Sequence, residues 1–137
     1  MFALKDNVRC QCGDEWLETN GLGGYASSTV QGCHTRKYHG LLVCDLHDPA
    51  GRFCLLSKIE DSIVYRGVEH HLSCNQYPDA VYPMGHENLE AFEYEPHPTW
   101  IYALDGLQIR RSIIMPRGEN AVMIRYDLLT PGRRVQL

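Results

Sequence analysis

The sequence predicts an all-β sandwich or barrel. Three observations carry that expectation: strand-type periodicity almost end to end, turn dipeptides between the runs, and no long helical stretch. In chain order the expected strands are 15–19, 25–30, 38–46, 53–59, 62–65, 69–72, 91–95, 99–104, 107–115 and 121–129. The second is rich in β-branched and hydroxyl residues, and the third and fourth hold the apolar runs LLVC and FCLL. Phe92-Glu93-Tyr94-Glu95 alternates, and Ile109-Arg110-Arg111-Ser112-Ile113 has a polar centre, so both read as half-buried strands. Turn signals at Asp48-Pro49-Ala50-Gly51, Arg66-Gly67, Asp105-Gly106, Arg117-Gly118 and Pro131-Gly132 divide the runs. Asp105-Gly106 is the strongest hairpin signal, because a type I′ turn needs positive φ at both central residues. Residues 84–91 are the one stretch with helical character, a short turn that Pro83 and Gly85 work against.

Size and charge bound the function. A chain of 137 residues is expected to be one domain with a real core. Its apolar fraction of 44% and charged fraction of 22% are those of an ordinary soluble protein. A net charge of -4 gives no broad basic field, and the Arg110-Arg111 and Arg133-Arg134 doublets are too sparse to make a nucleic-acid surface. No apolar run reaches the roughly 18 residues of a membrane helix, and the first residues lack the apolar core of a signal peptide. A cytoplasmic protein with no membrane partner is the expectation.

Six cysteines, Cys10, Cys12, Cys33, Cys44, Cys54 and Cys74, are read as reduced structural residues, since Cys44 and Cys54 sit inside apolar runs. Cys33, His34, His39 and the His70-His71 pair lack CxxC or HxxxH spacing, and Cys10-x-Cys12 is a weak signal. Neither a metal nor a cofactor is expected.

Five of twelve glycines fall between Glu15 and Leu42, and Gly21-Leu22-Gly23-Gly24-Tyr25-Ala26 formally fits the dinucleotide fingerprint GxGxxA. That fingerprint needs an apolar strand before it and a helix after it, so that pyrophosphate meets a helix N-terminus. Here the lead-in is charged, and Ser27-Ser28-Thr29-Val30 is strand-forming. Asp45 lies at the distance of a ribose acid, but no βαβ unit surrounds it, and no Gly-Lys-Ser/Thr closes a phosphate loop. Around the glycines stand Asn20, Tyr25, Arg36, Tyr38, His39 and Trp16, an aromatic and hydrogen-bonding set suited to sugar rings and hydroxyls. The same residues suit plain packing, with Arg36 paired to Glu15 or Glu18.

The runs EWLETNGLGGYASST and TRKYHGLL closely resemble the N-terminal domain of bacterial and archaeal glycogen debranching enzymes of the amylo-α-1,6-glucosidase type. The resemblance continues through LLSKIE, Pro98-Thr99-Trp100 and MPRGENA, and so covers most of the chain. It implies an antiparallel β-sandwich of the mutarotase-like supersandwich kind, residues 1–137, ahead of an (α/α) barrel that carries the chemistry. The barrel is expected to lie outside these residues. Two carboxylates on such a barrel hydrolyse the α-1,6 branch, one protonating the leaving oxygen and one activating water or attacking directly.

No catalytic residue is assigned within the chain. Glu60-Asp61, Glu87, Glu90, Glu93 and Glu95 are read as solvent-exposed, and Ser27-Ser28 lacks a GxSxG elbow. Two functions stand against each other. In the first, the domain contacts α-glucan, glycogen or a related oligosaccharide, through Asn20, Tyr25, Arg36, Tyr38 and His39, with Trp100 and Tyr77 or Tyr82 as sugar platforms. In the second, it is a non-catalytic domain whose residues pack on the C-terminal catalytic barrel or on a second copy as a homo-oligomer. The terminal residues 132–137 read as the opening of a further strand, which adds an expectation of self-association or marginal stability.

Overall fold

A computed structural model of the chain describes residues 2–3, 13–47 and 49–137. Cys10, Cys12 and Asp48 lie outside the described residues. The fold is all-β with antiparallel sheets, as the periodicity predicts.

The first sheet orders β1 (Phe2–Ala3), β10 (Leu89–Glu93), β11 (Thr99–Leu104), β12 (Leu107–Ile114) and β13 (Met123–Leu128) side by side. The second orders β2 (Glu15–Thr19), β3 (Tyr25–Thr29), β4 (Gly40–Asp45) and β5 (Arg52–Leu56). Two hairpins complete the set: β6 (Ser62–Tyr65) with β7 (Val68–His71), and β8 (Cys74–Gln76) with β9 (Val81–Met84). A bridge between Val64 and Gln136 ties the last residues to β6.

The inner faces of the two sheets supply one apolar core. Trp16, Ala26 and Leu41 come from the second sheet, and Trp100, Tyr102, Leu104, Leu107, Ile109 and Ile113 from the first. Trp16 and Trp100 meet edge to face with ring centroids 5.3 Å apart, a geometry aromatic quadrupoles favour. Ile63, Tyr65 and Leu72 bring the β6–β7 side into the same core.

Turn chemistry holds where it is read from sequence. Asp105 and Gly106 both have positive φ, 46° and 77°, and join β11 to β12 as a type I′ turn. Arg66 and Gly67, at 52° and 78°, do the same between β6 and β7. Residues Gly85–Asn88 form one turn of 3-10 helix inside the stretch given helical character.

Three expectations need correction. β8 and β9 are absent from the sequence reading, because Cys-Asn-Gln and Val-Tyr-Pro-Met show neither alternation nor a clean apolar run. β12 is more than half-buried: Arg111, Ser112 and Ile113 are consecutive and all buried. Asp61 is also buried, unlike the exposed Glu60 beside it.

Candidate functional site

The glycine-rich loop between β2 and β3 is held by its own asparagine. Asn20 is fully buried, and its Oδ1 accepts hydrogen bonds from the backbone amides of Leu22 (2.8 Å) and Gly24 (3.0 Å). Its Nδ2 donates to the Glu119 carbonyl (3.0 Å) and to Asn120 Oδ1 (2.9 Å). Its backbone carbonyl accepts from Gly118 N at 2.7 Å. Glycine is needed at 24 because a Cβ there would stand 2.6 Å from Asn20 Nδ2 and 3.0 Å from the Val43 carbonyl. At Gly23, φ is +84° and a Cβ would meet Asp45 Oδ2 at 2.8 Å. The glycines therefore serve close approach of protein to protein.

Beside this loop, the outer face of the second sheet carries an open groove of about 500 Å³. Strand pairing sets Leu17 opposite Ser27 and Thr19 opposite Tyr25, so alternation turns these four away from Trp16 and the core. Tyr25, Tyr38 and Tyr94 line the groove with Glu15 and Leu17. Tyr38 and Tyr94 are about half exposed, at 54% and 48%. Their positions are tied: Tyr25 Oη donates to the Tyr38 carbonyl at 3.0 Å, and Tyr94 Oη donates to the Leu17 carbonyl. Glu15 Oε1 accepts from Arg36 Nε at 2.5 Å, a contact that raises the Arg36 pKa.

His39, expected to touch sugar, follows Tyr38 in the chain but is not part of the groove's lining. It is buried, its Nδ1 accepts from Thr35 N at 3.1 Å, and its Nε2 sits 3.5 Å from Glu15 Oε1. Burial is the first cause that lowers its pKa, with Glu15 opposing, so the neutral ring is favoured.

Of the residues expected to touch sugar, the structure brings Tyr25, Arg36 and Tyr38 to this face. Asn20 and Trp100 lie inside the protein instead. Asn20 spends both ends of its amide inside the protein, and Trp100 is buried at 2% with its Nε1 donating to the Val30 carbonyl at 2.7 Å. Neither offers a free surface to a ligand. Tyr77 and Tyr82 are exposed on the β8–β9 hairpin, outside the lining of the groove. Tyr94 and Leu17 are groove members that sequence reasoning did not assign. Tyr94 follows directly on β10, which ends at Glu93, and no local signal in the sequence marks it for the groove.

A second polar cluster lies inside the sandwich. Arg111 Nε is 3.2 Å from Asp61 Oδ2, which also accepts from Tyr126 Oη at 2.5 Å, and the Arg111 guanidinium lies over the Trp100 ring at 5.5 Å. Burial pushes Tyr102 up to about 12 and raises Tyr126 as well.

Near it, His34 is lowered to about 4, by burial first and then by Lys58 and His39. A folded-state pKa below the unfolded 6.5 means the folded chain resists protonation. The resulting stability is complete above pH 6.5 and is lost as pH falls through 4. Urea unfolding at pH 7 and pH 4 is expected to show this loss in the parent chain and most of it gone in His34→Gln.

Among the described residues, no group of three or more His, Cys, Asp or Glu is placed to hold a metal ion. No helix among them is long and apolar enough to cross a membrane. A protein-family model described as "Glycogen debranching enzyme N terminal" matches residues 14–137. No curated protein and no solved structure matches the chain.

Proposed function

The chain belongs to the glycogen debranching enzyme N-terminal family, and from that premise we propose that its tyrosine-lined groove contacts α-glucan for an enzyme that hydrolyses α-1,6 branch points. One observation carries the reading: Tyr25, Tyr38 and Tyr94 converge on a single open groove beside the Glu15–Arg36 pair. Pyranose rings present apolar C–H faces that pack on tyrosine, while carboxylate and guanidinium groups bond to the hydroxyls. The groove holds and orients glucan. The two carboxylates that cleave it belong, in this reading, to the catalytic barrel of the same cytoplasmic enzyme.

Migration in a native gel cast with glycogen tests the proposal. The parent chain is expected to be retarded, and Tyr38→Ala to weaken binding by roughly 3- to 10-fold, the worth of one aromatic contact. Tyr77→Ala, outside the groove, serves as the unchanged control. Parent migration equal in gels with and without glycogen overturns the glucan reading.

A second reading rests on β5. Its residues Arg52, Phe53, Cys54 and Leu55 are all exposed, and Phe53 at 48% and Leu55 at 59% adjoin exposed Leu46 and Ile59. An apolar strip on an edge strand suits docking against the catalytic barrel or a second copy of the chain. Under this reading the chain sediments as concentration-dependent oligomers, Leu55→Glu restores the monomer, and glycogen leaves migration unchanged.

A further inference from the structure

We infer that Cys33 and Cys74 form a reversible disulfide when the chain meets a small peroxide, with His86 as the base that starts the reaction. The two residues are 41 positions apart, and both are fully buried. The Cys33 thiol donates a hydrogen bond to Cys74 Sγ at a sulfur–sulfur distance of 3.0 Å. The contact already holds the two sulfurs that would be joined side by side. His86 Nδ1 lies 3.2 Å from Cys74 Sγ, within reach of its proton.

Both cysteines are held in place. Thr29 Oγ1 donates to the Cys33 carbonyl at 2.8 Å, and Lys58 Nζ donates to the Cys74 carbonyl and to Asn75 Oδ1. Burial is the first cause that lowers the Lys58 pKa, with Cys33 and Cys74 opposing it.

A small cavity lies beside the pair. Of about 20 Å³, it touches Gly32, His34 and Ser73, the chain neighbours of both cysteines, together with Trp16 and Lys58. Ser73 Oγ and Trp16 Nε1 are buried without a hydrogen-bond partner, which fits a small polar molecule seated there.

The chemistry balances in two steps. Cys74 gives its proton to His86, and the thiolate attacks one peroxide oxygen. The O–O bond breaks, and hydroxide leaves with the proton from His86 as water, so that Cys74 becomes a sulfenic acid. Cys33 sulfur then attacks Cys74 sulfur, the S–O bond breaks, and hydroxide leaves with the Cys33 proton as a second water. Two thiols lose two electrons in all, and one hydrogen peroxide gains them.

The test exposes the intact chain to hydrogen peroxide, blocks remaining thiols with N-ethylmaleimide in denaturant, and maps peptides without reduction. The expected product is a peptide pair linked through Cys33 and Cys74 that dithiothreitol separates. Cys33→Ser is expected to stop at a Cys74 sulfenic acid captured by dimedone, and His86→Gln to slow thiol loss roughly tenfold or more. Cys54 is exposed and gives an internal clock for oxidation at the surface. A Cys33 and Cys74 pair still fully alkylated once Cys54 is oxidised overturns the inference, as does either residue linked to another cysteine. Zinc that co-purifies one to one and shields these thiols until chelated also overturns it, by placing a soft cation there.

Discussion

Asn20→Ala is expected to destabilise the folded chain by about 4 kcal/mol, measured as a fall in the urea midpoint at constant slope. The cost has a specific source. Alanine removes four side-chain hydrogen bonds, and it strands the Leu22 and Gly24 amides on one side and the Glu119 carbonyl with Asn120 Oδ1 on the other. Each stranded group in a buried setting forfeits more than the bond it made. Asn20→Asp separates the two halves of the effect. It keeps acceptors for Leu22 and Gly24 but aims a carboxylate oxygen where Nδ2 now donates, so it is expected to restore little stability. A loss under about 1 kcal/mol for Asn20→Ala would mean that water replaces the amide, and would reopen Asn20 as a ligand-facing residue.

Asp61→Ala is expected to cost about 3–5 kcal/mol, because Arg111 would keep its charge in the core with its partner gone. Arg111 is 7% exposed and Asp61 6%, so solvent cannot take over the lost contact. Tyr126 would lose its acceptor as well. The double variant Asp61→Leu, Arg111→Met is expected to recover most of that loss, since well-packed apolar residues commonly match a buried ion pair. A double variant no more stable than Asp61→Ala would show that packing around Arg111, including its place over Trp100, matters more than its charge.

How far the sequence carries can be judged from these residues. Strands 15–19, 62–65 and 99–104 have the bounds periodicity assigns, and Asp105-Gly106 makes the turn its chemistry dictates. Those features depend on neighbours along the chain. Asn20 does not. An asparagine before glycines reads equally as an exposed hydroxyl binder or a buried amide, and only a partner 99 positions away decides. Arg111 and Asp61 likewise look like surface charges until β12 and the start of β6 face each other across the core. Tyr25, Arg36 and Tyr38 were legible as a group because they lie close together in sequence. Tyr94 enters the groove from the other sheet, and local pattern carries no trace of that approach.

The Asn20 bonds have a bearing on how the fold is reached. Two of them, from Nδ2, join positions 99 and 100 residues apart, so closing that circuit carries a larger loop entropy than the local bonds to Leu22 and Gly24. Glycine usually signals a hinge that moves independently of its surroundings. Here it marks a clasp: Asn20 ties the Leu22 and Gly24 amides on one side to residues 119 and 120 on the other.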